Sequence, residues 1–305
     1  LFRLDPATYA VVGTPDTALA NLEDVTYVSQ LDSVLVAGFN GPLLVKNLNG
    51  TLSTIAYAPG SGSAVGGYDA DFDPIDSRII ASAFNNGRFE TSVAGAPFVP
   101  GASLPEPGHI EVDTVRNLVY VANGSGANLR VAAYNRTDVT NPGASPVAVR
   151  GLGATGITTN GGLAYNVKSN RIYAGTDSFS GPGPDKVVAI NPDDFTNPAP
   201  VSVLVGLGVY ALVTDDDRDR VYAVSRTAGQ LNVLNYTTLT PVAGSPLNAG
   251  ADPIFVAYDR AAARIVVLNS AGSLTVFNAD TLQQIPGSPF STFGAGDFHS
   301  VAVVP

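Results

Sequence analysis

The chain has 305 residues, 16 Lys+Arg against 26 Asp+Glu, and a formal net charge of −10. That balance argues against nucleic acid or an anionic membrane as the main partner, since both select basic surfaces. Cys, Met and Trp are absent, which removes disulfides, thiolate metal sites, a Cys nucleophile and indole platforms for sugars. The longest apolar runs, such as 201–207, are too short for a membrane-spanning helix.

Residues 1–12 read as the third and fourth strands of a repeat. Fuller copies of that repeat follow, each with an apolar run, an acidic or amide turn and a second apolar run. The residue opening the second run serves as a repeat marker; it is Ser33, Arg78, Leu118, Arg171, Arg220 and Arg264. Spacings of about 40 to 53 residues, short strands and Gly/Pro turns predict one four-stranded propeller blade per repeat. First strands are predicted over 22–28, 68–73, 109–113, 163–166, 210–215 and 254–259. The second strand starts at or beside each marker, the third is followed by a turn, and the fourth is short and Pro-flanked, as an outer edge tolerates. Helical periodicity is absent. Residues 300–304 read as a first strand that joins the opening segment in a composite blade. The expectation is an all-β, seven-bladed β-propeller of four-stranded antiparallel blades, one domain over 1–305, the last blade composite of N- and C-terminal strands. That arrangement hides open sheet edges.

Some phrases have a family likeness. Gly287-Ser288-Pro289-Phe290 before His299-Ser300-Val301-Ala302-Val303 resembles the inter-blade linker of the lactonase-like, YVTN-type seven-bladed propellers. Gly244-Ser245-Pro246-Leu247 before Pro253-Ile254-Phe255-Val256-Ala257 does the same, and Val119-Tyr120-Val121-Ala122-Asn123 resembles their second-strand phrase. The resemblance implies the fold and, among other roles, lactone hydrolysis. Pro107-Gly108-His109-Ile110 is similar to a Pro-Arg-His phrase of the lactonase-like members, with Gly in place of Arg. The missing guanidinium argues against a phosphorylated lactone.

Asp73/Arg78, Asp215/Arg220 and Asp259/Arg264 stand five residues apart across the first turn; repetition marks them as a scaffold device in which the Asp caps the turn and meets the Arg. Asp69, Asp71 and Asp73 do not form an EF-hand, because Pro74 and Ile80 occupy the positions needing Gly and a bidentate carboxylate. Aligning the first strands gives an asymmetric set. Nine residues before the markers stand Asp24, Asp69, His109, Gly162, Ala211 and Phe255, with Ser300 in the composite; seven before stand Thr26, Asp71, Glu111, Ala164, Val213 and Ala257. First strands line a propeller channel, so Asp24, Asp69, Asp71, His109 and Glu111 are expected on one arc of its mouth as a ligand-binding set, with His299 facing them. Asp24, Asp69 and His109 are the candidate ligands for a divalent cation such as Ca or Mg. His109 and Glu111 are the candidate catalytic groups, activating water against a lactone carbonyl. The alternative is an ordinary wet, polar channel.

No nucleophile elbow, P-loop or zincin motif is present. The leading expectation is therefore an exported, acidic propeller acting as a binding or surface-structural module for a protein or small-molecule ligand. The alternatives are a lactonase-like hydrolase, with or without a divalent metal, and a self-associating subunit of an extracellular assembly. A chain opening on Leu1 reads as a processed or partial sequence, with a secreted or cell-surface location expected. Asn49, Asn123, Asn135 and Asn235 head Asn-X-Ser/Thr sequons and are candidate glycosylation points.

Overall fold

The computed structural model describes residues 2–13, 22–38, 44–47, 52–54, 67–83, 86–93, 98–104, 106–124, 129–152, 162–177, 185–195, 201–291 and 298–304; Asn49 lies outside them. Six four-stranded sheets, each in chain order, account for its strands. The first holds β1 (Leu22–Val28), β2 (Ser33–Gly38), β3 (Leu44–Asn47) and β4 (Leu52–Thr54). The second holds β5 (Gly67–Asp73), β6 (Arg78–Ala83), β7 (Arg88–Val93) and β8 (Val99–Ser103). The third holds β9 (Pro107–Asp113), β10 (Leu118–Asn123), β11 (Arg130–Asn135) and β12 (Ala148–Gly151). The fourth holds β13 (Leu163–Asn166), β14 (Arg171–Gly175), β15 (Lys186–Ile190) and β16 (Val201–Leu204). The fifth holds β17 (Val209–Asp215), β18 (Arg220–Ser225), β19 (Gln230–Asn235) and β20 (Leu247–Asn248). The sixth holds β21 (Pro253–Asp259), β22 (Arg264–Asn269), β23 (Ser273–Asn278) and β24 (Phe290–Ser291). All neighbours pair antiparallel, and the first strands succeed one another, β1 beside β5, β5 beside β9, then β13, β17 and β21. This radial succession of small sheets is a β-propeller.

The second strands carry the core. After its first residue each runs buried to its end, as in 79–83 or 221–225. A middle strand is covered on both faces by the neighbouring blades, so it reads as a nearly continuous apolar run rather than an alternation. Each apolar cluster lies between two successive blades. One joins Tyr222 and Val224 to Val256, Ile265 and Val267; another joins Ile80 and Phe89 to Ile110, Val119 and Val121. Burying one such side chain fully is worth about 1.5–3 kcal/mol.

The turn before each marker has a fixed construction. Its last residue is left-handed in all six sheets: Asp32, Ser77, Asn117, Asn170, Asp219 and Ala263, with φ between 45° and 59°. The preceding Asp caps the turn. Asp113 Oδ1 accepts from the Val115 and Arg116 amides, and Asp215 Oδ1 from those of Asp217 and Arg218. The expected pairing of this Asp with the marker Arg is corrected. Asp215 instead pairs with Arg218, three residues on, at 3.1 Å, as Asp113 does with Arg116 in the third sheet, and Asp73 pairs with Arg136 of the next blade. The marker Arg220 faces the neighbouring blade, where its Nη1 donates to the Ala279 carbonyl at 2.5 Å, whereas Arg78 meets Asp76 of its own turn at 3.5 Å.

The corner after the third strand also recurs. In the fifth and sixth sheets an isolated bridge joins Leu234 to Pro241 and Phe277 to Gln284, Asn235 or Asn278 caps the corner, and Leu239 or Leu282 takes φ near 56–59°. The opening segment has the same build: Leu4 bridges Val11, Asp5 Oδ1 accepts from the Ala7 and Thr8 amides, and Tyr9 has φ 56°. Arg264 Nη1 donates to the Pro6 carbonyl at 2.8 Å, the counterpart of Arg220 on Ala279. Near the other terminus, residues 298–304 form no ladder, but Phe298 and Val301 pack with Leu4 and Tyr9 against Ile254 and Val266. The linker phrases are structural: Ser245 and Ser288 hydroxyls accept the Val233 and Val276 amides, each at 2.9 Å.

Five of the six left-handed turn residues are Asp, Asn or Ser, whose short polar side chains bond locally, whereas Ala263 bears a Cβ with no such compensation. Ala263→Asn is expected to raise stability by about 0.5–1 kcal/mol, read as a higher thermal midpoint with an unchanged circular dichroism spectrum.

Candidate functional site

One cleft is lined by residues of four blades and the closing segment: Glu23, His109, Tyr210, Ile254, Phe255 and His299. It encloses about 310 Å³, counting space open to solvent. His109 Nδ1 lies 3.4 Å from Asp69 Oδ2, and His299 Nδ1 lies 3.4 Å from Glu23 Oε2. The two imidazoles, the only ones in the chain, thus line one cleft, each beside a carboxylate.

A bulge builds this mouth. In β1, β5, β9, β17 and β21 the pairing slips by one residue near the start of the strand. The extra residue is Glu23 in β1, Tyr210 in β17 and Ile254 in β21, and in β9 it falls within Gly108-His109. Bulges re-aim a side chain out of the ladder, and here they re-aim it into the cleft. Strict alternation along the strand missed Glu23, Tyr210 and Ile254 for this reason. Their signal is a position ten residues before the marker, which His299 shares by its place before Ser300.

Behind the mouth the acidic residues are occupied. Asp69 Oδ2 accepts the Ile110 amide at 2.8 Å, and Asp71 Oδ2 accepts that of Val112 at 2.9 Å. Glu111 takes the Tyr165 amide, and the Ser300 hydroxyl oxygen takes that of Val25 at 3.2 Å. In each case a side chain on one inner strand reaches the amide one place further along the equivalent stretch of the next. Gly162 holds the same repeat position as Asp69, and there the inner strands meet directly: a Cβ would sit 2.7 Å from the Leu212 nitrogen. Asp24 accepts the Ser300 hydroxyl at 2.7 Å and the Thr26 hydroxyl at 3.0 Å, and shares a hydrogen bond with Asp69.

Of the six residues expected at the mouth, then, His109 and His299 line the cleft, Asp69 backs His109, and Asp24, Asp71 and Glu111 stand behind as links between blades. For the cation reading of Asp24, Asp69 and His109, the described residues contain no group of three or more His, Asp or Glu with metal-holding geometry. The carboxylate oxygens are aimed at strand amides and at one another. Asn123 is interior, 1% exposed, while Asn135 and Asn235 end equivalent third strands at partial exposure.

Burial sets the charge states. It pushes Asp24 up to about 7, helped by the negative Asp69 beside it. Burial would raise Asp69 too, but the hydrogen bond and positive charge of His109 outweigh it and hold Asp69 below its ordinary value. His109 is opposed by burial yet raised by Asp69 and Asp24. Asp71 is pushed up to about 6 by burial, against the Phe72 and Val112 amides, and Glu111 well above its usual range by burial and Asp71. The shifts reinforce one another: His109 and Asp69 each favour the charged form of the other, and Asp24 behind them holds its proton more tightly.

No protein-family model matches the chain, and no curated protein matches it. Solved structures do. The chain is similar to one in the nidogen/laminin complex, with TM-score 0.59 and 15% identity over 83% of this chain and 91% of that one. It is similar to one in the mitotic checkpoint complex, with TM-score 0.66 and 15% identity over 91% of this chain and 81% of that one. Likeness at this identity establishes the shared fold, in agreement with the six radial sheets.

Two measurements follow from the buried acids. Asp24, Asp71, Glu111 and His109 all bind protons more tightly folded than unfolded. The stabilising effect of the acids is complete below about pH 4 and, for Asp71 and Asp24, is lost as pH rises through about 6 and 7. The thermal midpoint is expected to fall between pH 5 and pH 8, measured by calorimetry, and Asp24→Asn to make that fall shallower. Asp71→Ala strands the buried Val112 amide and is expected to cost about 1–3 kcal/mol, whereas Asp71→Asn keeps an acceptor and costs little at pH 7; denaturant titration separates the two.

Proposed function

We propose that this chain is an exported seven-bladed propeller of the lactonase-like, YVTN-type kind that serves as a binding scaffold, with the His109/His299 mouth as its recognition surface. One observation carries the scaffold reading: the acidic side chains that would do chemistry are spent on amides of the neighbouring blade. The seven-blade count is supported by the opening hairpin, which repeats the corner of the fifth and sixth sheets, and by Ser300, which bonds the first blade as Asp69 bonds the third. Both similar chains come from structures of complexes, which supports a macromolecular partner. The acidic composition and the sequons are compatible with a secreted or cell-surface setting.

The hydrolase reading draws on the two imidazole–carboxylate pairs sharing one cleft. A panel of unphosphorylated and phosphorylated sugar lactones discriminates. On the scaffold reading wild-type protein and His109→Ala give the same turnover as buffer alone. Turnover by wild type that His109→Ala abolishes would establish the enzyme instead.

A further inference from the structure

Beyond the mouth, we propose that the opposite face of the propeller carries a second docking surface, spread over the second, third and fourth blades. Its occupant is a basic polypeptide segment that presents aliphatic side chains flanked by Lys or Arg.

The bulged first strands start at the mouth and end at the first turn. Strands such as β5 and β9 are seven residues long, which separates the two ends by about 20 Å. The third strand runs in the same direction as the first, so the corner after it shares this far face. In the first turns of three successive blades an exposed tip residue is apolar and β-branched: Ile75 at 57%, Val115 at 70% and Val167 at 63% exposure. Turn tips ordinarily take Gly, Pro, Asn, Asp or Ser. An exposed Val or Ile there adds nothing to the core and gains nothing from the turn. Val93, paired with Arg78 at the end of β7, is exposed on the same face. The fifth and sixth blades differ. Their turns carry Asp216, Asp217, Arg260 and Ala261, and none of the large apolar side chains of these two sheets is exposed. Single apolar residues scattered over a surface need no explanation, but a run confined to neighbouring blades marks a contact.

Side chains tie the three turns into one arc. Asp76, next to Ile75, pairs with Arg136 at 2.7 Å, and Arg136 donates to Asn117 of the Val115 turn at 2.9 Å. Arg116, next to Val115, donates to Tyr165 at 2.7 Å and to Asn170, which stand on either side of Val167.

The charges around this arc state the occupant's chemistry. In the ion pairs between blades the guanidinium lies inside and the carboxylate outside. Arg116 is 21% exposed against 56% for Asp193, and Arg136 is 7% exposed against 31% for Asp76. The Arg218–Asp280 pair of the fifth and sixth blades is built the same way. Lys168, beside Val167, points outward but is matched by Asp219 at 2.7 Å. The apolar tips therefore sit among outward carboxylates whose cations are tucked beneath them. Such a surface repels nucleic acid and anionic lipid and attracts Lys and Arg. A second copy of this chain, with net charge −10, is repelled for the same reason.

The test uses the whole chain and a fluorescent peptide, Lys-Val-Lys-Val-Lys-Val-Lys. Saturable one-to-one binding that weakens with added salt is expected. Replacing Ile75, Val115 and Val167 together by Ser is expected to weaken it at least about tenfold, with an unchanged circular dichroism spectrum. Val115→Ser alone is expected to weaken it about twofold or more, which keeps the test decisive should the triple variant fail to fold. No saturable binding, equal binding by the substituted chains, or equal binding of a peptide with Glu in place of every Lys would overturn the proposal. Binding lost in His109→Ala would also overturn it, by placing the peptide at the mouth. So would a concentration-dependent dimer that the triple variant lacks, which would make a second copy the occupant. A mouth that binds nothing leaves all these results unaltered, so the two readings fail separately.

Discussion

The inner strand of a propeller blade is the open edge of its sheet, and its outward amides have no strand to pair with. In this chain the preceding blade answers them with side chains. Asp69 and Asp71 take the amides of Ile110 and Val112, and Glu111 that of Tyr165. Unpaired buried amides are costly, so this link decides how closely the sheets can stand and which residues can occupy the channel wall. Where the link is absent, as at Gly162, the strands close on each other and no side chain fits. The asymmetry of the mouth, acidic on one arc and tight on the other, follows from two ways of meeting one constraint.

That constraint also fixes the electrostatics. Carboxylates placed within reach of one another and away from water cannot all ionise. Asp69 is held below its ordinary value because His109 stands beside it, and Asp24, Asp71 and Glu111 are shifted up. The histidine is therefore as much a counter-ion to the inter-blade links as a feature of the cleft.

Much of the architecture was legible in the residues because burial on both faces leaves a strong trace. The second strands announce themselves as apolar runs after each marker, and the observed β6, β14, β18 and β22 begin at Arg78, Arg171, Arg220 and Arg264 themselves. The first strands were legible to within two residues. The site was less so. Period-two reasoning assumes an unbroken ladder, and the bulges shift its parity just where the cleft forms, which hid Glu23, Tyr210 and Ile254. The Asp–Arg expectation failed for a related reason: spacing along the chain does not report direction, and Arg220 and Arg264 reach away from their own turns while Arg78 meets Asp76. Only a contact between blades, such as Arg220 with Ala279, reveals that.

The bulges have a further consequence. A residue outside the ladder is released from the alternation of its strand, so its side chain can serve the cleft and the packing together. Ile254 lines the mouth while buried in the cluster against the terminal segments, and Tyr210 packs on that cluster and on the one between the fifth and sixth sheets. Glu23 belongs to neither cluster and faces His299 instead. The rim is thus half keystone and half ornament: its apolar side is tied to folding, and its charged side is where a substitution changes what the cleft presents while the frame stays as it is.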